Sequence, residues 1–90
     1  MSVRYRRRDD VRIATLENEG VLLHLGTRRY YTVSESALAL LEQLATPQTP
    51  EELAAFLLDR YELTAERAAT SVREFLERCR RADVVLEEGV

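Results

Sequence analysis

Few side chains in this chain carry reactive chemistry, and none of them has a partner at useful spacing. There is one histidine, His24, and one cysteine, Cys79. No second Cys or His lies at metal-ligand spacing, so a metal site has no framework. A glycine-rich phosphate loop and a nucleophile motif are both missing from the sequence. His24 lies on a strand face opposite Val21, Leu23 and Leu25 and is therefore expected at the surface. Cys79 falls on a helical apolar stripe and reads as a buried small hydrophobe. No catalytic group, metal or cofactor is expected. The chemistry left to use is that of the backbone. Arg29 to Val33 (RYYTV) reads as the last strand of its run, and no later segment is an obvious pairing partner. Such an edge offers a row of unpaired N–H and C=O groups. Its main constructive use is to accept an extended peptide as an added strand.

The elements that position this edge are legible from spacing. Val11 to Leu16 alternates weakly, with Val11, Ile13 and Thr15 against Arg12, Ala14 and Leu16. Glu17-Asn18-Glu19-Gly20 reads as a turn in which Gly20 is able to take φ > 0. In VLLHL, Val21, Leu23 and Leu25 share one face, and Leu22 and His24 share the other. Gly26-Thr27-Arg28 is a short hairpin loop. In the next strand Arg29, Tyr31 and Val33 lie opposite Tyr30 and Thr32. Ser34 caps a helix whose apolar positions are Ala37, Leu40, Leu41 and Leu44. Thr49-Pro50-Glu51-Glu52 starts a second helix, with Thr at the N-cap, Pro at the first helical position and Glu two residues later. Thr64 caps a third, with the stripe Ala65, Ala68, Ala69, Val72, Phe75, Leu76 and Cys79. Arg78, Arg80 and Arg81 in its last turn suit the helix dipole. Val84-Val85-Leu86 reads as a short terminal strand or a packed tail. The reading is an α+β fold: a three-stranded antiparallel β-meander followed by three α-helices, winged helix-turn-helix-like.

Composition sets the bounds. Ninety residues make one domain, with residues 1–10 read as a flexible, charge-clustered arm and 11–90 as the domain proper. No apolar run reaches membrane-span length, and no secretory signal opens the chain, so a cytoplasmic protein is expected. All thirteen basic residues are Arg, yet the net charge is −3, which argues against a nucleic-acid partner.

In order along the chain, VLLHLGTRRYYTVSESALALLEQL and then TPEELAAFLLDRYELTAERAATSVREFLERCRRADVV resemble the family of coenzyme PQQ biosynthesis protein D. This family is the stand-alone form of the peptide-recognition domain of ribosomal peptide natural-product pathways. The resemblance runs from about Val11 to Leu86. Where the family has Leu-Asn this chain has Val33-Ser34, which keeps a β-former followed by a cap. Ala37 stands for a usual Gly. Asp83 stands for a frequent Gly after the third helix, so that helix end is expected to be tighter or irregular.

The resemblance implies a mechanism. The leader segment of a precursor peptide adds as a strand beside Arg29, Tyr30, Tyr31, Thr32 and Val33, in the groove against the third helix. Ala69 falls on that helix, with Val72, Phe75 and Leu76 expected as an apolar floor, and Arg73 and Arg80 expected to meet acidic leader residues. The implied partners are the leader peptide and a maturation enzyme of the same pathway. That enzyme is a leader peptidase in lasso-type pathways, which is favoured, or a radical enzyme in cofactor pathways. An edge strand also permits a homodimer that competes with the peptide.

Each site residue also has a plainer role. Tyr31 shares a face with Val33 and reads first as a core ring, whereas Tyr30 stays open between core and contact. Phe75 and Leu76 are core positions unless one edge of the stripe is left for peptide. Arg73 and Arg80 are ordinary surface charges without the resemblance. The competing function is a small winged-helix DNA-binding regulator using the arm residues Arg4, Arg6, Arg7 and Arg8 and the end of the third helix at Arg78, Arg80 and Arg81. Against it, Glu66, Glu74 and Glu77 on the third helix would repel phosphates, as would Glu51, Glu52 and Asp59 on the second.

Overall fold

The computed structural model describes residues 3–17 and 19–89. The expected α+β, winged-helix-like arrangement is present, with one strand more than the sequence suggested. The order is β1 (Val3–Arg7), β2 (Val11–Leu16), β3 (Glu19–His24), β4 (Arg29–Val33), α1 (Glu35–Gln43), α2 (Pro50–Arg60), α3 (Ala65–Arg81) and β5 (Val85–Gly89). β2, β3 and β4 form the meander, and β1 pairs with β5 in a separate two-stranded sheet.

The segment expected as a flexible arm is therefore a strand from Val3 to Arg7. Two sets of bonds hold it. It runs antiparallel to β5, with Val3 opposite Gly89 and Arg7 opposite Val85. On its other edge Tyr5 exchanges backbone bonds with Gln48 at 2.8 and 2.9 Å. Arg7 then closes the end of α1. Its amide donates to the Leu44 carbonyl and its guanidinium to the Leu41 carbonyl, both at 2.8 Å. The last carbonyls of a helix lack internal partners, and α1 has no basic residue in its own last turn. Arg7 fills that role from β1.

The meander's inner face is set by register. Ile13 lies opposite Leu22, and Leu22 opposite Tyr31. Alternation then puts Val11, Ile13, Leu22, His24, Tyr31 and Val33 on one side. That side packs on Leu40, Leu41, Leu44, Leu53, Leu57, Ala68, Val72, Leu76, Cys79 and Val84. Gly20 lies inside β3 and takes no positive φ; in this turn Glu17 takes one instead, at 52°. Gly20 serves close packing. A Cβ there would come within 2.8 Å of Val33 Cγ2 and 3.2 Å of Leu38 Cβ.

The helix caps follow the sequence signals. Ser34 Oγ accepts from the Ala37 amide, and Thr64 Oγ1 from the Arg67 amide. Thr49 and Glu52 form a reciprocal capping box, an arrangement of which each cap contributes about 1 kcal/mol. The Thr49 backbone N–H holds the Glu52 carboxyl below its ordinary range. α3 ends in a regular cap and not in the tighter or irregular end expected from Asp83 in place of Gly. Asp83 takes φ 58°, its amide donates to the Arg80 carbonyl, and the Val84 amide donates to the Cys79 carbonyl. This is a Schellman motif, with Asp in the left-handed position that Gly usually occupies. It turns the chain sharply from α3 into β5.

Candidate functional site

β4 pairs with β3 on one edge only, so its other edge is unpaired among the described residues. That edge borders a cavity of about 440 Å³. Tyr31, Thr32 and Val33 form its near wall, and Phe75, Arg78, Cys79 and Ala82 form its far wall. Leu22, Ala37, Leu41 and Val84 supply the rest of its apolar lining. A second cavity of about 550 Å³ shares Ser34, Ala37, Phe75 and Arg78 with the first and runs on between α1 and α3. Together they make one long groove from the end of α3, past the β4 edge, to the start of α1. A single extended chain lying there would find free backbone groups on one side and apolar side chains on the other.

The expected contact residues divide into two groups. Tyr31, Thr32, Val33 and Phe75 meet at this groove. Tyr31 and Val33 are partly buried against the core, as the face alternation predicted. Tyr30 points to the opposite face and is 73% exposed, while Arg29 is exposed at the start of β4. Ala69, Val72, Arg73, Leu76 and Arg80 lie elsewhere. They line a different cavity of about 480 Å³, closed by Tyr5 of β1 and by Pro50 and Ala54 of α2. Val72 and Leu76 are also buried core residues. Helix geometry accounts for the split. At about 100° per residue, Phe75, Arg78, Cys79 and Ala82 share one strip. Ala69, Arg73, Leu76 and Arg80 share another, turned by roughly a third of a circle. The sequence reading treated both strips as one side. The missed residues, Arg78 and Ala82, follow from Phe75 by the i+3 and i+7 rule.

The charges do not separate the strips, because Arg73 on one and Arg78 on the other each have no ion pair among the described residues. Arg80 pairs with Glu87 at 2.9 Å, and Arg81 with Glu77 at 2.7 Å. Arg78 has no ion pair among the described residues and borders both halves of the groove. Cys79 is 5% exposed, and burial pushes its thiol up to about 12 against the opposing pull of Arg78. It is a neutral apolar wall at physiological pH, because a thiol reacts as its anion.

The basic cluster at the N-terminus is engaged internally. Arg4 pairs with Glu52 at 3.1 Å, Arg6 with Asp9 and Glu88 at 2.9 Å each, and Arg8 with Asp10 at 3.0 Å. Arg7 caps α1. These are the arm side chains of the DNA-binding reading; acidic partners neutralise Arg4, Arg6 and Arg8, and helix-end carbonyls occupy Arg7. Among the described residues no three His, Cys, Asp or Glu side chains gather as a metal site. No described helix is long and apolar enough to cross a membrane.

His24 departs from expectation. It is 2% exposed and sits on the inner face of the meander. The assignment of β3 faces was inverted because VLLHL carries more apolar residues on its outer face than on its inner one. Leu23 and Leu25 are exposed at 37% and 46%, while Leu22 and His24 are buried.

Comparison with known proteins agrees with this fold. No curated protein matches the chain. Two solved structures superpose over nearly its whole length. TbiB1 in complex with the TbiA(beta) leader peptide gives a TM-score of 0.79 at 25% identity, covering 94% of this chain and 96% of that one. Lasso peptide synthetase B1 complexed with the leader peptide gives 0.77 at 21% identity, covering 91% and 96%. The family model of coenzyme PQQ synthesis protein D (PqqD) matches residues 19–85, from the start of β3 through α3 to the first residue of β5. With well over half of its length matched, the chain belongs to the PqqD family.

Proposed function

We propose that this protein is a non-catalytic recognition protein that binds the leader segment of a ribosomally synthesised precursor peptide. The leader adds as a strand on β4, and the protein delivers the precursor to a maturation enzyme. The observation that carries the reading is the unpaired β4 edge bordering an apolar groove walled by α3. Two neighbours of the same fold are described with a leader peptide bound. One of them is a lasso peptide synthetase B1, which favours a lasso-type pathway and so a leader peptidase as the enzyme. A radical enzyme is the other family setting.

In this reading β4 supplies a backbone ladder that any sequence can use, and the groove supplies selection. Alternate side chains of the added strand point toward the groove. Apolar leader residues would pack on Tyr31, Val33, Phe75 and Ala82. Arg78 takes the role that the resemblance implied for Arg73 and Arg80, meeting an acidic leader residue at the rim. The leader loses chain entropy when it orders, so the expected affinity is roughly nanomolar to micromolar. A second copy pairing on the same edge would compete with the leader, which makes binding weaker at high protein concentration if such a dimer forms. The DNA-binding reading is not favoured, because Arg4, Arg6, Arg7 and Arg8 are already partnered.

The test is an NMR amide-shift titration with the leader segment of the precursor encoded beside this gene. Saturable shifts at Arg29 to Val33 and at Phe75 to Ala82 are expected. An unchanged spectrum from folded protein at high leader concentration would remove the proposal.

A further inference from the structure

Among the described residues, His24 is the one buried titratable side chain to which strand addition gives no role. Its ring makes three hydrogen bonds. Nδ1 accepts from the backbone amides of Gly26 at 3.1 Å and Thr27 at 3.2 Å. Nε2 lies 2.9 Å from the Asp83 carbonyl oxygen. Two donors converge on Nδ1, so the network assigns the ring proton to Nε2, which donates to Asp83. The ring therefore ties the β3–β4 hairpin loop to the residue that ends α3. Both partners are held in shape independently. The turn closes tightly over the ring at Gly26, where a Cβ would come within 2.9 Å of His24 Cε1 and 3.0 Å of Asp10 Oδ2. Asp83 has its carbonyl oriented by the left-handed Schellman conformation. Arg8 braces the same corner, bonding Asp10 at 3.0 Å and approaching Asp83 at 3.6 Å.

This corner is one end of the groove. His24 lies opposite Arg29, the first residue of β4. Asp83 lies between Ala82 and Val84, both of which line the cavity. Elsewhere the two walls touch directly only through apolar contact, which is non-directional and does not fix a separation; the Arg8–Asp10 turn bridges them indirectly, the Leu25 amide donating to the Asp10 carbonyl at 2.8 Å and the Arg8 amide to the Val84 carbonyl at 3.0 Å. The His24–Asp83 bond is the only hydrogen bond among the described residues that joins the β3–β4 hairpin to the α3–β5 segment. Resting on the strand-addition reading, we infer that His24 is a positioning residue: it sets the separation between the β4 edge and the C-terminal end of α3, and so the fit of the peptide.

Two substitutions separate the ring's functions. In His24→Asn the side-chain oxygen stands where Nδ1 stood and keeps the loop bonds, but it cannot reach Asp83. In His24→Gln the terminal amide nitrogen reaches where Nε2 stood and keeps the cross-link. Leader affinity of His24→Asn is expected to fall about tenfold, with the Gly26 and Thr27 amide shifts retained. His24→Gln is expected to stay within about threefold of the unsubstituted chain. Equal affinity of His24→Asn and the unsubstituted chain would overturn the inference. So would parallel losses in both variants that track their melting temperatures, since that marks a merely structural role. If the unsubstituted chain binds no leader, the strand-addition reading fails by itself. The inference is then decided by NOEs between side chains of β4 and of α3. Their loss in His24→Asn alone supports it, and their persistence overturns it.

Discussion

The two flanks of α3 present similar residue types and are closed by differently paired strands. One flank faces β1 and α2, where Ala69, Arg73, Leu76 and Arg80 meet Tyr5 and Ala54. Strand β1 there is already paired on both edges, to β5 and to Gln48. The other flank faces β4, whose outer edge has no partner among the described residues. Both flanks carry a cavity of similar size, about 480 and about 440 Å³. Cavity size therefore does not distinguish them. Unsatisfied backbone does, because only an unpaired strand can add another.

The largest way to break the contrast is Thr32→Pro. Proline removes a backbone donor from β4 and disturbs the edge. Leader affinity should fall by at least about tenfold, with the helical circular dichroism retained. Calorimetric titration that gives unchanged affinity would mean that the peptide does not use this edge.

A charge-reversal pair sharpens it. For a leader with acidic residues, Arg78→Glu should weaken binding by roughly fivefold at low salt, and the loss should shrink as salt screens it. Arg73→Glu, on the other flank, should stay within about twofold. The reverse outcome would return the site to the strip first read from the sequence.

The smallest effect concerns Cys79, on the wall behind the groove. Its folded value is raised from 9.0 to about 12. Below the unfolded value both states hold the proton and the contribution to stability is complete. As pH rises from about 9 toward about 12 the unfolded chain ionises first, so stability should decline across that window. Iodoacetamide at pH 8 should label Cys79 only after denaturation, as read by mass spectrometry. Rapid labelling of the folded protein would show a more open wall than the 5% exposure of Cys79 indicates.

Local chemistry made most elements legible. Ser34, Thr49 and Thr64 each cap the helix they were expected to cap. The turn at Gly26 to Arg28 joins β3 to β4, and Tyr31 packs inward. These depend on residues within a few positions of each other. The readings that failed depended on remote partners. β1 looked like a polar arm because RYRRRDD has no apolar alternation. It is a strand because residues 85–89 and Gln48 complete its backbone bonds, and because acidic partners neutralise Arg4, Arg6 and Arg8. His24 looked exposed because its neighbours Leu23 and Leu25 are more apolar. It is buried because Gly26, Thr27 and Asp83 satisfy both ring nitrogens.

The sequence by itself determined the helices and their caps, the meander and its last strand. Hydrogen bonds between near neighbours and the periodicity of apolar residues are sufficient for each of these. Only the tertiary structure decided which strip of α3 faces the free edge, that the N-terminal arginines are spent on internal partners, and that the single histidine joins the two walls of the groove. Those outcomes turn on how elements rotate against each other, and a stripe of small and apolar residues as wide as that of α3 permits more than one such rotation.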